Sequence, residues 1–219
     1  MGGYMGNTGE VSGVYAHFRQ LEKAAEEVAS FTPGIVPGLA QTPEYSRLAT
    51  LESPLPLTEE QIQEAIRLRR ERTAHRAEKA KSGGVTQLYL GEAALRHQVG
   101  PSNFDPAQSP EENRREKARI LAAQMKHLRT GLGTMELRIL PDEASAIARE
   151  LGGFTILRGI PEIGSAVHRA GFTPDDSTLF TALSHPDSIQ VAEAFMDEVT
   201  ANLLSEEDSK AMVHDYEIG

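Results

Sequence analysis

The stretch from Thr58 to Leu90 constrains the fold most, because its apolar periodicity changes from helical to strand-like across two glycines. Thr58 and Gln61 have the spacing of a capping box, which predicts that a long helix begins at Thr58. Gly83 and Gly84 end that helix, and the following VTQLYL has the alternation and the β-branched and aromatic residues of a strand. A chain with both patterns belongs to a mixed class of helices and strands.

The rest of the chain also contains both patterns. Helices are predicted over 14–32, 43–51, about 114–130, 186–204 and from 205 onward. TMELRIL and GFTILRG are further predicted strands, and SAVHR and STLFTAL are weaker candidates. We therefore expect a single α+β domain over 14–219, with a small mixed or antiparallel sheet of three to five strands packed against several helices. Residues 1–13 are expected to be flexible, and residues 99–113 to form a long loop that acts as a lid.

The charge balance argues against nucleic acid as a partner. The chain carries 22 Lys and Arg against 32 Asp and Glu, a net charge of −10, whereas nucleic-acid affinity rests mainly on cations that neutralise phosphates. A basic stretch over 67–81 is interpreted as a solvated face of the long helix, whose acidic residues lie at its other end, as the helix dipole favours. We therefore expect no direct contact with nucleic acid.

Other classes of protein are excluded by what the sequence lacks. It has no cysteine, which excludes disulfides, thiolate nucleophiles and cysteine-ligated metals. No apolar run approaches the roughly 20 residues that span a bilayer, and the first residues lack the features of a secretory signal. We therefore expect a cytoplasmic protein with no membrane contact. The seven histidines never occur at i, i+4 spacing, and no phosphate loop or nucleophile elbow occurs, so we expect neither metal nor cofactor.

Polar side chains on or beside the predicted strands are the candidates for chemistry and binding. Side chains two residues apart share a strand face. Gln87 and Tyr89 therefore lie on one face of their strand, and Glu136 and Arg138 lie on one face of theirs. The second pair faces either solvent or a cavity, where a guanidinium would suit a carboxylate or another anion. Candidates for acid–base catalysis are Glu92, His97, Glu136 and His168, although a lone histidine near a strand end is more often structural. Candidates for ligand contact are Tyr45, Gln87, Tyr89 and Arg138.

Six motifs in order resemble one known family. LEKAAEEVASFTPGIVPGLAQTPEYSRL is similar to the opening of a widespread actinobacterial domain of unknown function, which normally follows an Xre-type helix-turn-helix in transcriptional regulators. RLRRERT, LYLGEAALRHQVG, LRILP, GGFTILR and LLSEEDSKAM resemble its later segments. The resemblance covers about residues 14–213. The residues that match in the first three segments are Leu21, Glu22, Val36, Pro37, Gly38, Leu39, Gln41, Thr42, Tyr45, Arg47, Arg69, Arg72, Glu92, Ala93, Ala94, Leu95, Arg96, Val99 and Gly100.

The resemblance implies a domain that senses a ligand or a partner, and it supplies no catalytic residues. It adds Gln41, Arg69 and Arg72 to the ligand-contact candidates. Only 13 residues precede Val14, so we expect a stand-alone domain without the DNA-reading module. Gly91 also stands where the family usually has an aspartate.

Three functions remain open from the sequence. The first is a sensor or modulator that binds a small molecule, for which an anion is the candidate, in a pocket formed by the VPGLAQT loop, Tyr89, Glu92 and Arg138. The second is an enzyme of specialised metabolism, such as a cyclase, isomerase or hydrolase, that works by positioning and acid–base groups. The third is a protein-interaction partner, as a homodimer or with a regulator.

Overall fold

The computed structural model describes residues 13–53, 56–144, 152–170 and 186–218. Its strands are β1 (Glu27–Thr32), β2 (Val85–Gly91), β3 (Glu136–Leu140), β4 (Gly153–Ile160) and β5 (Gly164–Ala170). Its α-helices are α1 (Gly13–Ala24), α2 (Pro43–Leu51), α3 (Glu59–Ala80), α4 (Ala93–Arg96), α5 (Pro110–Thr130), α6 (Pro186–Ala201) and α7 (Glu206–Ile218). Short 3₁₀ turns lie at Gly38–Ala40 and Asp142–Ala144.

The five strands form one mixed sheet in the order β3-β2-β1-β4-β5. β2 runs parallel to both β1 and β3, whereas β4 runs antiparallel to β1 and to β5. The helices before β2 and β3 are the crossovers that parallel neighbours require. The predicted single α+β domain is therefore confirmed, with five strands in the described residues. The predicted strand STLFTAL and most of the predicted flexible N-terminus lie outside those residues.

The prediction of a helix continuing to Pro33 is wrong, because the chain leaves α1 at Ala24 and forms the central strand β1. Ala25 and Val28 continue the helical spacing of α1, which is why the change of element is hidden in the sequence. All residues of β1 except Glu27 are buried, so both faces are covered and the strand lacks the alternation that identifies half-exposed strands. Pairing with a strand on each side outweighs the local helix propensity.

Most helix boundaries agree with the sequence signals. Thr58 and Gln61 form the predicted capping box of α3, and Ser205 accepts a hydrogen bond from the amide of Asp208 before α7. Besides the end of α1, the start of α5 differs, since this helix begins at Pro110 rather than near residue 114. Ser109 caps it, and proline is favourable in the first helical turn.

The sheet separates two layers of side chains. One face packs against α1, α2, α3, α5 and α7, and its apolar strand residues include Val28, Leu88, Leu157, Leu137 and Ile139. The opposite face carries Ala29, Phe31, Tyr89, Phe154 and Ile156, which pack against α6. We call these surfaces the helical face and the α6 face.

The outer edge of β3 is occupied by the segment that joins α6 to α7 and by the first turn of α7. The amide of Leu204 donates to the carbonyl of Ile139 at 2.9 Å. The amide of Ile139 donates to Oγ of Ser209 at 3.0 Å. Both backbone groups of Ile139 are therefore satisfied at this edge.

The basic stretch over 67–81 is not wholly a solvated face, because Arg69 and Arg76 are buried. Arg76 is only 1% exposed. Its Nη1 donates to the carbonyl of Ala25 at 2.8 Å, and its Nη2 donates to the carbonyls of Glu26 and Val85 at 3.1 and 2.6 Å. Its Nε donates to Oγ1 of Thr86 at 2.9 Å. One guanidinium thus joins α3 to the beginnings of β1 and β2.

Replacing Arg76 by methionine should destabilise the protein strongly. Arg76→Met keeps most of the aliphatic stem but leaves buried carbonyls without donors, so we expect a loss of about 3 kcal/mol or more in the free energy of unfolding. Urea unfolding followed by circular dichroism measures this loss. Arg70→Met is the matched control, since Arg70 is exposed on the same helix. A loss below about 1 kcal/mol for Arg76→Met would contradict a stabilising role for the hydrogen bonds between Arg76 and these carbonyls.

Candidate functional site

The residues predicted for a site fall into three groups that the sheet keeps apart. Gln87, Tyr89, Glu136 and Arg138 lie on the α6 face. Glu92 and His97 lie beyond the carboxyl end of β2. The remaining candidates lie on the helical side of the sheet, and they are Gln41, Tyr45, Arg69, Arg72 and His168.

The α6-face group is brought together by strand register. Gln87 faces Glu136, and its amide donates to that carboxylate at 3.1 Å. Tyr89 faces Arg138 on the same two strands. Arg138 donates to the carbonyls of Leu204 and Leu203 at 2.8 and 3.2 Å, so it holds the α6–α7 connection against the sheet. Burial, together with the charge of Glu136, raises the pKa of Tyr89 to about 12.

Glu92 belongs to a polar network with Arg96, Asp142 and Tyr216. It accepts from the hydroxyl of Tyr216 at 2.7 Å, from Arg96 at 3.1 Å and from the backbone amide of Asp142 at 3.0 Å. Arg96 also pairs with Asp142. His97 lies 3.2 Å from the carboxylate of Glu52 on the surface. These contacts tie α4, α7 and the residues after β3 together.

The predicted lid loop is held by Asn113, which is buried in the first turn of α5. Its side chain accepts from the amide of Asp105 at 3.0 Å and donates to the carbonyl of the same residue at 2.8 Å. Lys117 donates to the carbonyl of Gly100 at 2.6 Å. The loop therefore has fixed anchors at both ends, and its role as a lid stays a prediction.

Gln41 and Tyr45 both bind one residue of the VPGLAQT loop. The amide nitrogen of Gln41 donates to the carbonyl of Val36 at 2.7 Å, and the hydroxyl of Tyr45 accepts from the amide of Val36 at 3.4 Å. Burial is the main cause that raises the pKa of Tyr45. Arg69 donates to the hydroxyls of Ser46 and Thr50 at 3.0 and 2.6 Å, which joins α3 to α2. These contacts fix the shape of the loop.

Arg72 and His168 both contact the ring of Phe18. The ring centroids of Phe18 and His168 are 4.1 Å apart, and the guanidinium carbon of Arg72 lies 5.4 Å from the centroid of Phe18. Side chains from α1, α3 and β5 therefore meet at the ring of Phe18. A guanidinium at this distance from an aromatic ring makes a cation–π contact.

Arg72 also forms an ion pair with Glu22, which is only 3% exposed. Nε of Arg72 lies 2.9 Å from Oε1 of Glu22, and Nη2 lies 2.5 Å from Oε2. Two parallel hydrogen bonds fix the plane of the guanidinium. The guanidinium of Arg72 lies close to Gly38 of the VPGLAQT loop. A Cβ added to Gly38 would be 3.3 Å from Nη1 of Arg72.

Next to Phe18, Glu22, Arg72 and His168, hydroxyl side chains lie on the same sheet face in β1 and β4. Ser30, Thr155 and His168 occupy neighbouring register positions on β1, β4 and β5. The hydroxyls of Ser30 and Thr155 are 3.0 Å apart. Thr32 shares the face of Ser30 and is 9% exposed. We call this group the His168 cluster, and its members are Phe18, Glu22, Ser30, Thr32, Arg72, Thr155 and His168.

The electrostatic environment keeps His168 uncharged at neutral pH. Burial of the imidazole, and next the positive charge of Arg72, lower the pKa of His168 to about 3. Burial disfavours the charged form of a base, and a nearby cation adds to that effect. The imidazole is therefore a neutral hydrogen-bonding group at pH 7.

The sequence identified two members of the His168 cluster as site candidates, Arg72 and His168, and missed the other five. Glu22 matched the family motif, but nothing in the sequence indicated that it would be buried against Arg72. Ser30 and Thr32 were hidden because β1 was interpreted as helix. The register Ser30, Thr155, His168 requires the strand order, which the sequence does not reveal.

One surface groove lies apart from these three groups. A surface groove of about 370 Å³ is lined by Gln108, Glu112, Arg115, Glu116 and Arg119. The arginines there pair with glutamates on the same helix, so the groove is interpreted as an ordinary solvated surface. Within residues 13–53, 56–144, 152–170 and 186–218, no group of three metal-ligating side chains occurs, and no helix is both long and apolar enough to cross a membrane.

The lowered pKa of His168 predicts a specific loss of stability in acid. In the unfolded chain a histidine has a pKa near 6.5, so unfolding takes up a proton as the pH falls from about 6.5 towards 3. This uptake lowers the free energy of unfolding by up to about 1.4 kcal/mol per pH unit. His168→Gln should remove this part of the slope in urea unfolding between pH 7 and pH 4. His214→Gln, at an exposed site, should keep it, and equal slopes for both variants would contradict a neutral imidazole at position 168 in the folded protein.

Comparison with known proteins gives one match. The profile of a domain of unknown function, DUF5753, matches residues 15–215. No curated protein matches the chain, and no solved structure matches it. The match spans the whole sheet and every member of the His168 cluster, and it confirms the resemblance to a domain of unknown function. The chain belongs to the DUF5753 domain family.

Proposed function

We propose that this protein is a small-molecule-binding domain of the sensor or modulator type, and that its ligand binds at the His168 cluster. The observation that carries the proposal is the convergence of ionisable and hydroxyl side chains from α1, β1, α3, β4 and β5 on the helical face, where Glu22 and Ser30 are buried and Arg72 and His168 are half-buried. Buried ionisable groups need compensation, and proteins concentrate such groups at functional sites. The carboxylates of the other two groups, Glu92 and Glu136, are half-buried, whereas Glu22 is only 3% exposed.

The position of the cluster in the sheet supports the same proposal. Along the chain, β2 and then β3 are added on one side of β1, and the next strand, β4, is added on the other side of β1. In open sheets of mostly parallel strands, ligands bind beyond the carboxyl ends of strands at the point where the order of building reverses. Here β4 runs antiparallel to β1, so only the carboxyl end of β1 corresponds to that position. Thr32 ends β1 at this point, and the VPGLAQT loop follows it directly.

The chemistry of His168 favours binding over acid–base catalysis. A general base is most effective when its pKa lies near the working pH. With a pKa of about 3, His168 is too weak a base to accept a proton efficiently at pH 7, but it can still exchange hydrogen bonds with a ligand. This speaks against His168 as the base of an enzyme of specialised metabolism, which is the second candidate function.

Ligand binding is tested by nuclear magnetic resonance on histidine-labelled protein. Panels of organic acids, amino acids, nucleosides and carboxamides are titrated while the ring signals of His168 and His214 are recorded. We expect at least one compound to shift the His168 signals saturably and to leave those of exposed His214 in place. Arg72→Gln should weaken that binding at least tenfold, whereas Arg70→Gln, at an exposed site on the same helix, should not.

The same mixtures distinguish the alternative functions. Mass spectrometry after incubation reveals any product, and a product that requires folded protein would make the chain an enzyme. Saturable binding without product would defeat the enzyme hypothesis. If no compound shifts the His168 signals, and a homodimer or a complex with a regulator forms instead, the protein-interaction hypothesis is favoured.

A further inference from the structure

The VPGLAQT loop, residues 36–42, is fastened to two helices from distant parts of the chain. Gln124 of α5 is completely buried. Its side-chain oxygen accepts from the amide of Thr42 at 2.7 Å, and its side-chain nitrogen donates to the carbonyl of Ala40 at 2.7 Å. The hydroxyl of Thr73 on α3 donates to the carbonyl of Leu39 at 2.9 Å. Side chains from outside the loop therefore satisfy three of its backbone groups.

The regular structure of the loop does not supply these hydrogen bonds. It consists of the 3₁₀ turn Gly38–Ala40, in which the amide of Ala40 donates to the carbonyl of Pro37 at 2.9 Å. A turn this short leaves its last carbonyls without partners inside the turn. Gln124 and Thr73 provide those partners, so the loss of either side chain should open the loop locally.

The same loop packs directly against the guanidinium of Arg72. A Cβ added to Gly38 would lie 3.3 Å from Nη1 of Arg72 and 3.6 Å from Cγ and Cδ of Arg69, so the guanidinium would have to shift by a few tenths of an ångström. Gly38 belongs to a 3₁₀ turn, whose backbone conformation residues with side chains also adopt. Glycine is therefore needed here for close approach and not for backbone freedom.

We propose that the VPGLAQT loop is a wall of the ligand site that controls access to the guanidinium of Arg72. Gly38 is the specificity-determining residue, because its lack of a side chain sets how closely the wall approaches that guanidinium. Gln124 and Thr73 are positioning residues, which hold the wall in place from outside the His168 cluster. This inference rests on the proposed function and assigns control of the same site to residues that lie outside it.

Access to Arg72 is measured with phenylglyoxal, a reagent for guanidinium groups. Peptide mapping by mass spectrometry gives the rate of reaction at each arginine of the full chain. Thr73→Val removes the hydroxyl that holds Leu39, so we expect Arg72 to react at least about threefold faster than in the parent protein. Thr73→Ser keeps a hydroxyl at this position, and Arg72 should react at the parent rate.

Two other arginines of α3 serve as references in the same samples. Arg70 is exposed, and Arg76 is only 1% exposed, so Arg76 reacts when the whole domain opens. Gln124→Met removes both hydrogen bonds to the loop, and we expect it to accelerate Arg72 and to leave the ratio of Arg76 to Arg70 unchanged. If Arg72 and Arg76 accelerate together in both Gln124→Met and Thr73→Val, these residues only stabilise the fold and the inference is overturned.

The role of Gly38 is tested by adding the same methyl group at two glycines. A Cβ at Gly38 meets Arg72, whereas a Cβ at Gly34 has nothing within 4 Å. The Nε–H signal of Arg72 in arginine-labelled protein should move in Gly38→Ala and stay in place in Gly34→Ala. Compounds from the four panels that bind at His168 should bind Gly38→Ala at least about fivefold more weakly and Gly34→Ala as the parent does. Equal affinity for both variants would contradict the role of Gly38.

The outcomes separate this inference from the proposed function. Absence of binding by every panel overturns the function and the ligand wall together. Equal rates at Arg72 in Thr73→Val, Thr73→Ser and the parent protein overturn the wall alone, since saturable binding at His168 would still stand.

Discussion

The buried guanidinium of Arg76 is the interaction on which the arrangement of this domain depends. It binds carbonyls at the end of α1 and at the start of β1 and β2, so one side chain sets the level at which two parallel strands begin. Strand register then determines which residues meet at the carboxyl end. There the backbone approaches closely, because a Cβ at Gly91 would overlap the carbonyl oxygen of Pro33. The position of the VPGLAQT loop over the helical face follows from both constraints.

The fold could be predicted largely from local signals, whereas the site could not. Capping residues such as Thr58, Ser109 and Ser205 act within one turn of helix, so their spacing is visible in the sequence. β1 was missed because its residues are buried on both faces and continue the apolar spacing of the preceding helix. Since β1 is the central strand, this one error also concealed the strand order.

The candidate site depends on contacts between residues far apart in the chain. The pair of Glu22 and Arg72 spans 50 residues, and Ser30 and Thr155 span 125. Composition cannot distinguish Arg72, whose ion pair is buried, from Arg70, which is exposed on the same helix. The family resemblance selected Arg72 as a site candidate, but the ion pair and ring contact of this residue become visible only in the fold.

The occupied edge of β3 has a consequence for assembly. A strand with free amides and carbonyls along its border can recruit a strand from another molecule. Here Leu204 and Ser209 already engage the amide and carbonyl of Ile139. A dimer that continued the sheet across β3 would first have to detach the start of α7, so any self-association of this protein should use side-chain surfaces rather than a shared sheet at that border.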